Sequence, residues 1–392
     1  MLYIGKMFKG FSDLLSFEQR LQVGSHQVEV KEQLAEGGYA FLYRAVEAGS
    51  TVEWALKKII CQSQDRLRLA QAEVAVLRRL PQHPNLVKYV DSSQGSESGS
   101  TVVYILMELC KEGTLINLLE RYNGQLTLPQ ILFIFKEICT GVSVLHDLGI
   151  IHRDIKLENI LLSNKHFKLV DFGSSTSEIL NLSQASREQL LKYEEEFERL
   201  TTLMYRPPEM IDIYARRVVD MKADVWMLGC VLYTLAFFKH PFQDQPQLAI
   251  VNGFFAIPRE SRFDEKFHNF IKWILCPDPA ERPGIGKILD MLDRYDTVPD
   301  FPRTYSNPVS QQAPRVKSKQ DRDMTEEDMQ REILRIRTTQ QKQTTSVQLL
   351  DFSAKSIWSA PGEEPPAEDL QQKSESWAQA APSPSSQDWA RF

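Results

Sequence analysis

One short run of the sequence holds His152, Arg153, Asp154, Lys156 and Asn159, and Asp171-Phe172-Gly173 follows twelve residues after the asparagine. These residue types at this spacing suit phosphoryl transfer, which needs an oriented hydroxyl, a cation at the migrating group and oxygen ligands for Mg2+. Asp154 is the candidate that orients the hydroxyl, and Lys156 the candidate that neutralises the phosphoryl group. Asn159 and Asp171 are the candidate metal ligands. Such groups must be carried on rigid elements. The stretches Ile160-Leu161-Leu162 and Lys168-Leu169-Val170, between the two motifs, have the character of short strands.

Upstream, Ala55-Leu56-Lys57 lies in a strand-like stretch, where side chains alternate between faces and Lys57 shares a face with Ala55 rather than with Lys58. Glu73 follows sixteen residues after Lys57, on a stretch from Leu67 to Leu80 whose apolar residues recur at helical spacing. Taken in order, these segments resemble the active site of protein kinases. The resemblance implies an α+β, bilobal protein-kinase fold with a small β-rich lobe and a larger helical lobe, using ATP and Mg2+. It makes Lys57 the residue that grips the nucleotide phosphates and Glu73 its ion-pair partner. It also places Leu34, Ala35, Glu36, Gly37, Gly38 and Leu42 in and around the phosphate-covering loop. Met107, Glu108, Leu109 and Cys110 then form the hinge, and Leu34, Leu42, Ala55, Met107, Leu109, Leu161 and Val170 surround the adenine. The loop departs from the usual G-x-G-x-x-G, because Ala35 and Ala40 replace the outer glycines. Glycine matters where backbone must approach phosphate closely. Alanine is the smallest substitute, so the loop is expected to close, though less freely.

Composition narrows the partners. A formal net charge of −6 argues against nucleic acid as the main ligand. Cys61, Cys110, Cys139, Cys230 and Cys276 lack the spacing of a metal site or a disulfide framework, so reduced thiols and a cytoplasmic setting are expected. The stretch from Met1 to Phe17 is interrupted by Lys6, Lys9 and Asp13, unlike a signal-peptide core, and leucine at position 2 does not fit N-myristoylation. The longest apolar run, Val225 to Phe238, is too short to span a bilayer and reads as a buried helix, so no transmembrane segment is expected.

The expected layout is an N-terminal lead-in over 1–27, a kinase domain over 28–296 and a largely disordered tail over 297–392, with a possible charged helix over 324–337. Within the domain, the Ser- and Gly-rich stretch Asp91 to Thr101 reads as a loop between strands. Asp224 to Gly229 resembles the start of the buried central helix of kinases, and Arg282 is the expected ion-pair partner of Glu209 in Pro207-Pro208-Glu209.

Lys156, together with Thr202-Leu203-Met204-Tyr205, resembles serine/threonine kinases rather than tyrosine kinases. Thr202 then bridges Asp154 and Lys156. Thr201 is the competing assignment, disfavoured by its distance to Tyr205 and Glu209. The segment from Arg187 to Arg199 is expected to form a helix that packs through Leu190, Leu191 and Phe197 and orders the activation segment without prior phosphorylation. The altered glycine loop, His152 to Leu162, Glu194 to Met210 and His240-Pro241-Phe242 resemble the Numb-associated kinase family. Cys110 matches a hinge cysteine of that family, while Val170 departs from the cysteine several members carry there. The resemblance implies threonine phosphorylation on endocytic adaptor proteins as protein substrates. In the tail, Trp389-Ala390-Arg391-Phe392 resembles W-x-x-F peptides that bind clathrin-adaptor appendage domains, and Asp13-Leu14-Leu15 resembles a clathrin-binding motif, although an amphipathic lead-in is the favoured reading there.

Overall fold

The computed structural model describes residues 20–37, 40–122 and 126–296. Gly38, the segment Asp13-Leu14-Leu15, the stretch 324–337, and Trp389 and Phe392 lie outside the described residues. The chain divides into two compact units, one containing residues 20–70 and 90–109, the other residues 71–89 and 110–296.

The first unit is built on a six-stranded sheet of β1 (Arg20–Val23), β2 (His26–Glu36), β3 (Ala40–Glu47), β4 (Glu53–Cys61), β5 (Tyr89–Glu97) and β6 (Ser100–Glu108), in the order β1-β2-β3-β4-β6-β5. Alternation sets its two faces. Tyr43, Leu56 and Leu106 sit opposite one another and pack with Val23, Val28, Val30, Ala45 and Tyr104 into an apolar core. The ends of the sheet also meet. The Asp91 carboxylate on β5 accepts the backbone N–H of Ser25 at 2.8 Å and its hydroxyl at 3.1 Å, and the Ser93 hydroxyl donates to the Gln22 carbonyl at 3.2 Å. Gly24 turns the chain there with φ +59°, and a Cβ would stand 2.0 Å from the Asp91 carboxyl, so only glycine fits.

Two features differ from the sequence reading. Residues 20–23, read as lead-in, form a strand that delivers the fully buried Val23 to the core. The stretch Asp91 to Thr101, read as a loop, belongs mostly to β5 and β6, and only Ser98 and Gly99, with φ of 48° and 82°, make the turn. Backbone ladder bonds hold this hairpin, and they leave no apolar period in the sequence.

Helix α1 (Gln64–Arg79) leads into the second unit. There follow α2 (Leu115–Arg121), α3 (Leu128–Asp147), the antiparallel hairpin β7 (Ile160–Ser163) and β8 (His166–Leu169), β9 (Leu180–Asn181), α4 (Arg187–Leu200) and α5 (Pro208–Ile211). The unit continues with β10 (Val218–Val219), which pairs with β9, then α6 (Lys222–Phe237), α7 (Gln247–Val251), α8 (Glu265–Ile274) and α9 (Ile285–Asp293). Helix α6 is apolar around its circumference and buried from Ala223 to Ala236, as a central helix must be. Leu275 lies 2.7 Å from where a Cβ on Gly229 would stand, so glycine permits this approach.

Helix α3, rather than the Val225 to Phe238 run, is long and apolar enough in length and composition to cross a membrane. Here it serves as a core helix. Its buried Ile131, Ile134, Phe135, Ile138 and Val142 accompany packing on α6, α9 and β8, and the Phe135 ring meets Phe270 edge-on at 6.0 Å. Glu209 and Arg282 form the expected pair as a two-pronged, fully buried contact at 2.8 and 2.9 Å. Arg282 also donates to the carbonyls of Cys276 and Lys222, which satisfies the guanidinium away from water.

Candidate active site

The loop from His152 to Asn159 is held from beneath by α6. Asp224, in the first turn of that helix and fully buried, accepts the backbone N–H groups of His152 at 2.9 Å and Arg153 at 2.8 Å, together with the His146 ring at 2.9 Å. Burial alone would raise the Asp224 carboxyl, but its bonds to His146 and His152 hold it below the ordinary aspartate range. It therefore anchors the loop as a carboxylate. Arg153 takes φ of 67°, a conformation costly for a long side chain and maintained by these fixed bonds.

On this anchor the candidate groups converge. Asp154 Oδ1 accepts the Thr202 hydroxyl at 2.7 Å and its backbone N–H at 3.2 Å. Asp154 Oδ2 lies 2.9 Å from Lys156 Nζ and 3.0 Å from Asn159 Nδ2. Lys156 Nζ also donates to Thr202 Oγ1 at 2.9 Å. The threonine hydroxyl thus has a fixed polarity, donating to the carboxylate and accepting from the ammonium. Burial pushes the Lys156 ammonium down, but the charges of Asp154, Glu158 and Asp171 outweigh it and leave its pKa raised. Thr201 faces elsewhere. Its hydroxyl donates to the Phe197 carbonyl and accepts from Arg206 Nε at 2.8 Å.

Asn159 spends its amide nitrogen on the Asp154 backbone carbonyl at 2.9 Å and on the Asp154 carboxylate. Its remaining polar atom is a carbonyl oxygen, a hard acceptor of the kind Mg2+ prefers. Asp171 is exposed and adopts φ of 60°, a left-handed conformation that aspartate tolerates. Its Oδ1 and Glu73 Oε2 both lie 3.4 Å from the position a Cβ on Gly173 would take, so the second carboxylate of the sequence pattern stands next to the Asp171-Phe172-Gly173 turn. Two oxygen donors fit a metal completed by phosphate and water. Among the described residues no cluster of three or more His, Cys, Asp or Glu side chains could hold a metal alone.

In the first unit, Ala35, Leu42, Lys57 and Ile105 stand in one register row across β2, β3, β4 and β6, and Ala55 stands opposite Met107. Leu42, Ala55, Lys57 and Met107 therefore share the face away from the apolar core. Leu34 falls at a register shift between Gln33 and Ala35, Glu36 pairs with Phe41, and the Gly37 N–H closes the tip on the Ala40 carbonyl at 2.7 Å. Glu108 stands opposite Trp54 and so shares the other face, leaving its backbone as the group available at the hinge. Leu109 and Cys110 are half-buried and follow β6 without regular structure. In the second unit, Leu161 lies on β7, opposite Lys168 and bridged to Thr114.

The sequence reading missed three contributors. Asp224 reads in the sequence only as the opening of a buried helix, although a charged residue leading an all-apolar run is a signal of its role. Glu196, on α4, meets Arg153 Nη1 at 2.7 Å, and Ser174 caps the end of α4 by donating to the Leu200 carbonyl while its own carbonyl accepts Arg153 Nε. A run of three glutamates gives no sign of which one turns inward. Leu190 and Phe197 of α4 are buried as expected, but Leu191 is 48 % exposed and does not join the packing.

A sheet-based unit and a mostly helical unit, the latter with an aspartate, lysine and threonine bonded in a ring and an asparagine and aspartate beside them, define the protein kinase class. The protein kinase domain family matches residues 28–292, and the chain belongs to that family. It is 36 % identical over 295 residues to a probable serine/threonine-protein kinase of Dictyostelium discoideum, across 73 % of this chain and 26 % of that protein. It is also 36 % identical over 293 residues to Actin-regulating kinase 1 of Saccharomyces cerevisiae, across 71 % of this chain and 46 % of that protein. The chain thus spans less than half the length of these curated relatives.

Proposed function

We propose that the chain is a Mg·ATP-dependent serine/threonine protein kinase. The observation that carries this reading is the ring of Asp154, Lys156 and Thr202, which holds a carboxylate where a substrate hydroxyl must be oriented. Asp154 aligns the incoming hydroxyl, and Lys156 supplies positive charge for the migrating phosphoryl group. Asn159 and Asp171 would hold Mg2+, which when bound would neutralise phosphate charge. Lys57 and Glu73 are the residues assigned to positioning the nucleotide, and the face carrying Leu42, Ala55 and Met107 receives the adenine. Names of the relatives support serine/threonine specificity.

The finer reading is a kinase of the Numb-associated type, cytoplasmic and acting on threonines of clathrin-adaptor proteins. It is supported by the altered glycine loop, by helix α4 within the activation segment, and by similarity to a relative named for actin regulation. Trp389 and Phe392, outside the described residues, are the proposed anchors for an adaptor appendage domain, since aromatics commonly dominate such contacts. Phosphoproteomic comparison of wild type with Asp171→Asn tests the substrate class. The kinase reading stands if turnover on a threonine peptide is lost in the variant, and the adaptor reading fails if no endocytic protein changes. Pull-down of an appendage domain by Trp389→Ala/Phe392→Ala tests the anchors separately, and undiminished binding would overturn them.

A further inference from the structure

Arg153 already has its carboxylate partner in Glu196. Arg79 is placed differently. It lies exposed in the last turn of α1, where Nη2 donates to the Leu148 carbonyl at 2.9 Å and Nη1 reaches Ser177 Oγ at 3.3 Å. The first bond orients the guanidinium. The second, to a neutral hydroxyl, is at the long end of hydrogen-bond lengths.

Ser177 is itself exposed, yet it does not sit in a loose loop. The preceding Thr176 exchanges both backbone bonds with Ile151, at 2.8 and 2.9 Å, and its hydroxyl accepts the Glu178 N–H at 3.1 Å. An accessible hydroxyl is thus held in front of an arginine whose orientation is already set.

We infer that Ser177 is a phosphorylation site and that Arg79 reads its phosphate. Phosphate oxygens on Oγ replace the long neutral contact with short charge-assisted bonds to a planar donor fork. Glu178 is adjacent and negative, but it is exposed and screened by solvent, and Arg78 adds positive charge in the same helical turn. The phosphate ties the end of α1, the helix bearing Glu73, to the stem of the segment that follows Asp171. In forming it, Ser177 Oγ bonds to the γ-phosphorus of ATP as the bond to the bridging oxygen breaks. ADP leaves, and the hydroxyl proton passes to Asp154 of a second copy of the chain and then to solvent. This source of the phosphate rests on the kinase reading above, whereas the Arg79 contact does not.

The test compares the full chain carrying serine, genetically encoded phosphoserine, or phosphoserine with Arg79→Gln at these positions, by hydrogen exchange and thermal unfolding. Phosphoserine is expected to slow exchange in the last turns of α1 and over 174–178 by about fivefold, and Arg79→Gln to remove that protection. Equal exchange with serine and phosphoserine, or protection that survives Arg79→Gln, overturns the contact. In parallel, phosphatase-treated chain is incubated with Mg·ATP and its phosphosites are mapped by mass spectrometry, with Asp171→Asn as control. Phosphate at Ser177 in the active chain alone supports the site. A chain that phosphorylates a threonine peptide but never Ser177 overturns self-modification and leaves the kinase reading intact. Failure on both substrates sinks the kinase reading, with the phosphoserine comparison still deciding the contact.

Discussion

At the scale of residues, the site depends on which hydroxyl closes the ring with Asp154 and Lys156. Two adjacent threonines differ completely in surroundings, Thr202 bonded to those catalytic candidates and Thr201 buried against Arg206 and the Phe197 carbonyl. Thr202→Ala is expected to lower kcat by roughly ten- to a hundredfold with little loss of stability, and Thr202→Ser to restore most of the rate. Thr201→Ala should instead cost about 1–3 kcal/mol of stability, since it strips a buried guanidinium of a partner. Steady-state kinetics on a threonine peptide, run beside thermal unfolding, separates these outcomes. The two swapping phenotypes would reverse the assignment. Asp171→Asn should nearly abolish turnover and weaken Mg2+-dependent ATP binding, and a variant retaining a tenth or more of the wild-type rate, a loss of only ~1.4 kcal/mol of transition-state stabilisation, would contradict the metal role.

At the scale of elements, α4 explains how the activation segment is ordered. The Ser186 capping box with Gln189 starts the helix, and Leu190 and Phe197 dock it. Glu196 then reaches Arg153, whose side chain is only 6 % exposed. A carboxylate built into the helix fills the place where a phosphorylated loop residue often neutralises such an arginine. Phosphatase treatment should therefore leave peptide turnover within about twofold of the untreated protein, whereas Glu196→Ala should lower it by about tenfold through an unpaired buried charge. A collapse in rate after phosphatase would show a phospho-switch instead. Phe197→Ala should cost about 3–5 kcal/mol, and Leu191→Ala within about 0.5 kcal/mol, in denaturant unfolding.

At the scale of the whole molecule, each unit has its own closing device. In the first, β1 and the Gly24 turn seal the apolar core, and Gly24→Ala should lower the thermal midpoint because its Cβ collides with the Asp91 carboxyl. In the second, His240 is buried beside the Tyr205 ring at 4.6 Å, with Nδ1 accepting the Phe242 N–H. Burial lowers its pKa from 6.5 to about 3. Below pH 6.5 an unfolded chain takes up a proton that the folded one refuses, so stability falls as pH drops from about 6.5 toward 3 and is insensitive to this group above that window. His240→Gln should flatten the dependence by about 1.4 kcal/mol per unit between pH 5.5 and 4, and by about half that at pH 6.5, measured by urea unfolding. An unchanged slope would remove His240 from the account.

The identities, order and spacing of Lys57, Glu73, Asp154, Lys156, Asn159 and Asp171 are legible in the chain alone, because chemistry and short-range periodicity are local properties. The chain alone also marks α6 and α4, where apolar continuity or a helical period is written in adjacent residues. Long-range packing selects Glu196 over its neighbours to meet Arg153, buries Leu190 but not Leu191, and draws residues 20–23 into a sheet. It likewise turns a Ser- and Gly-rich stretch into paired strands and makes Asp224 the support of the catalytic loop. In each case the deciding partner lies far away in sequence, and only packing fixes which of several chemically equivalent neighbours reaches it.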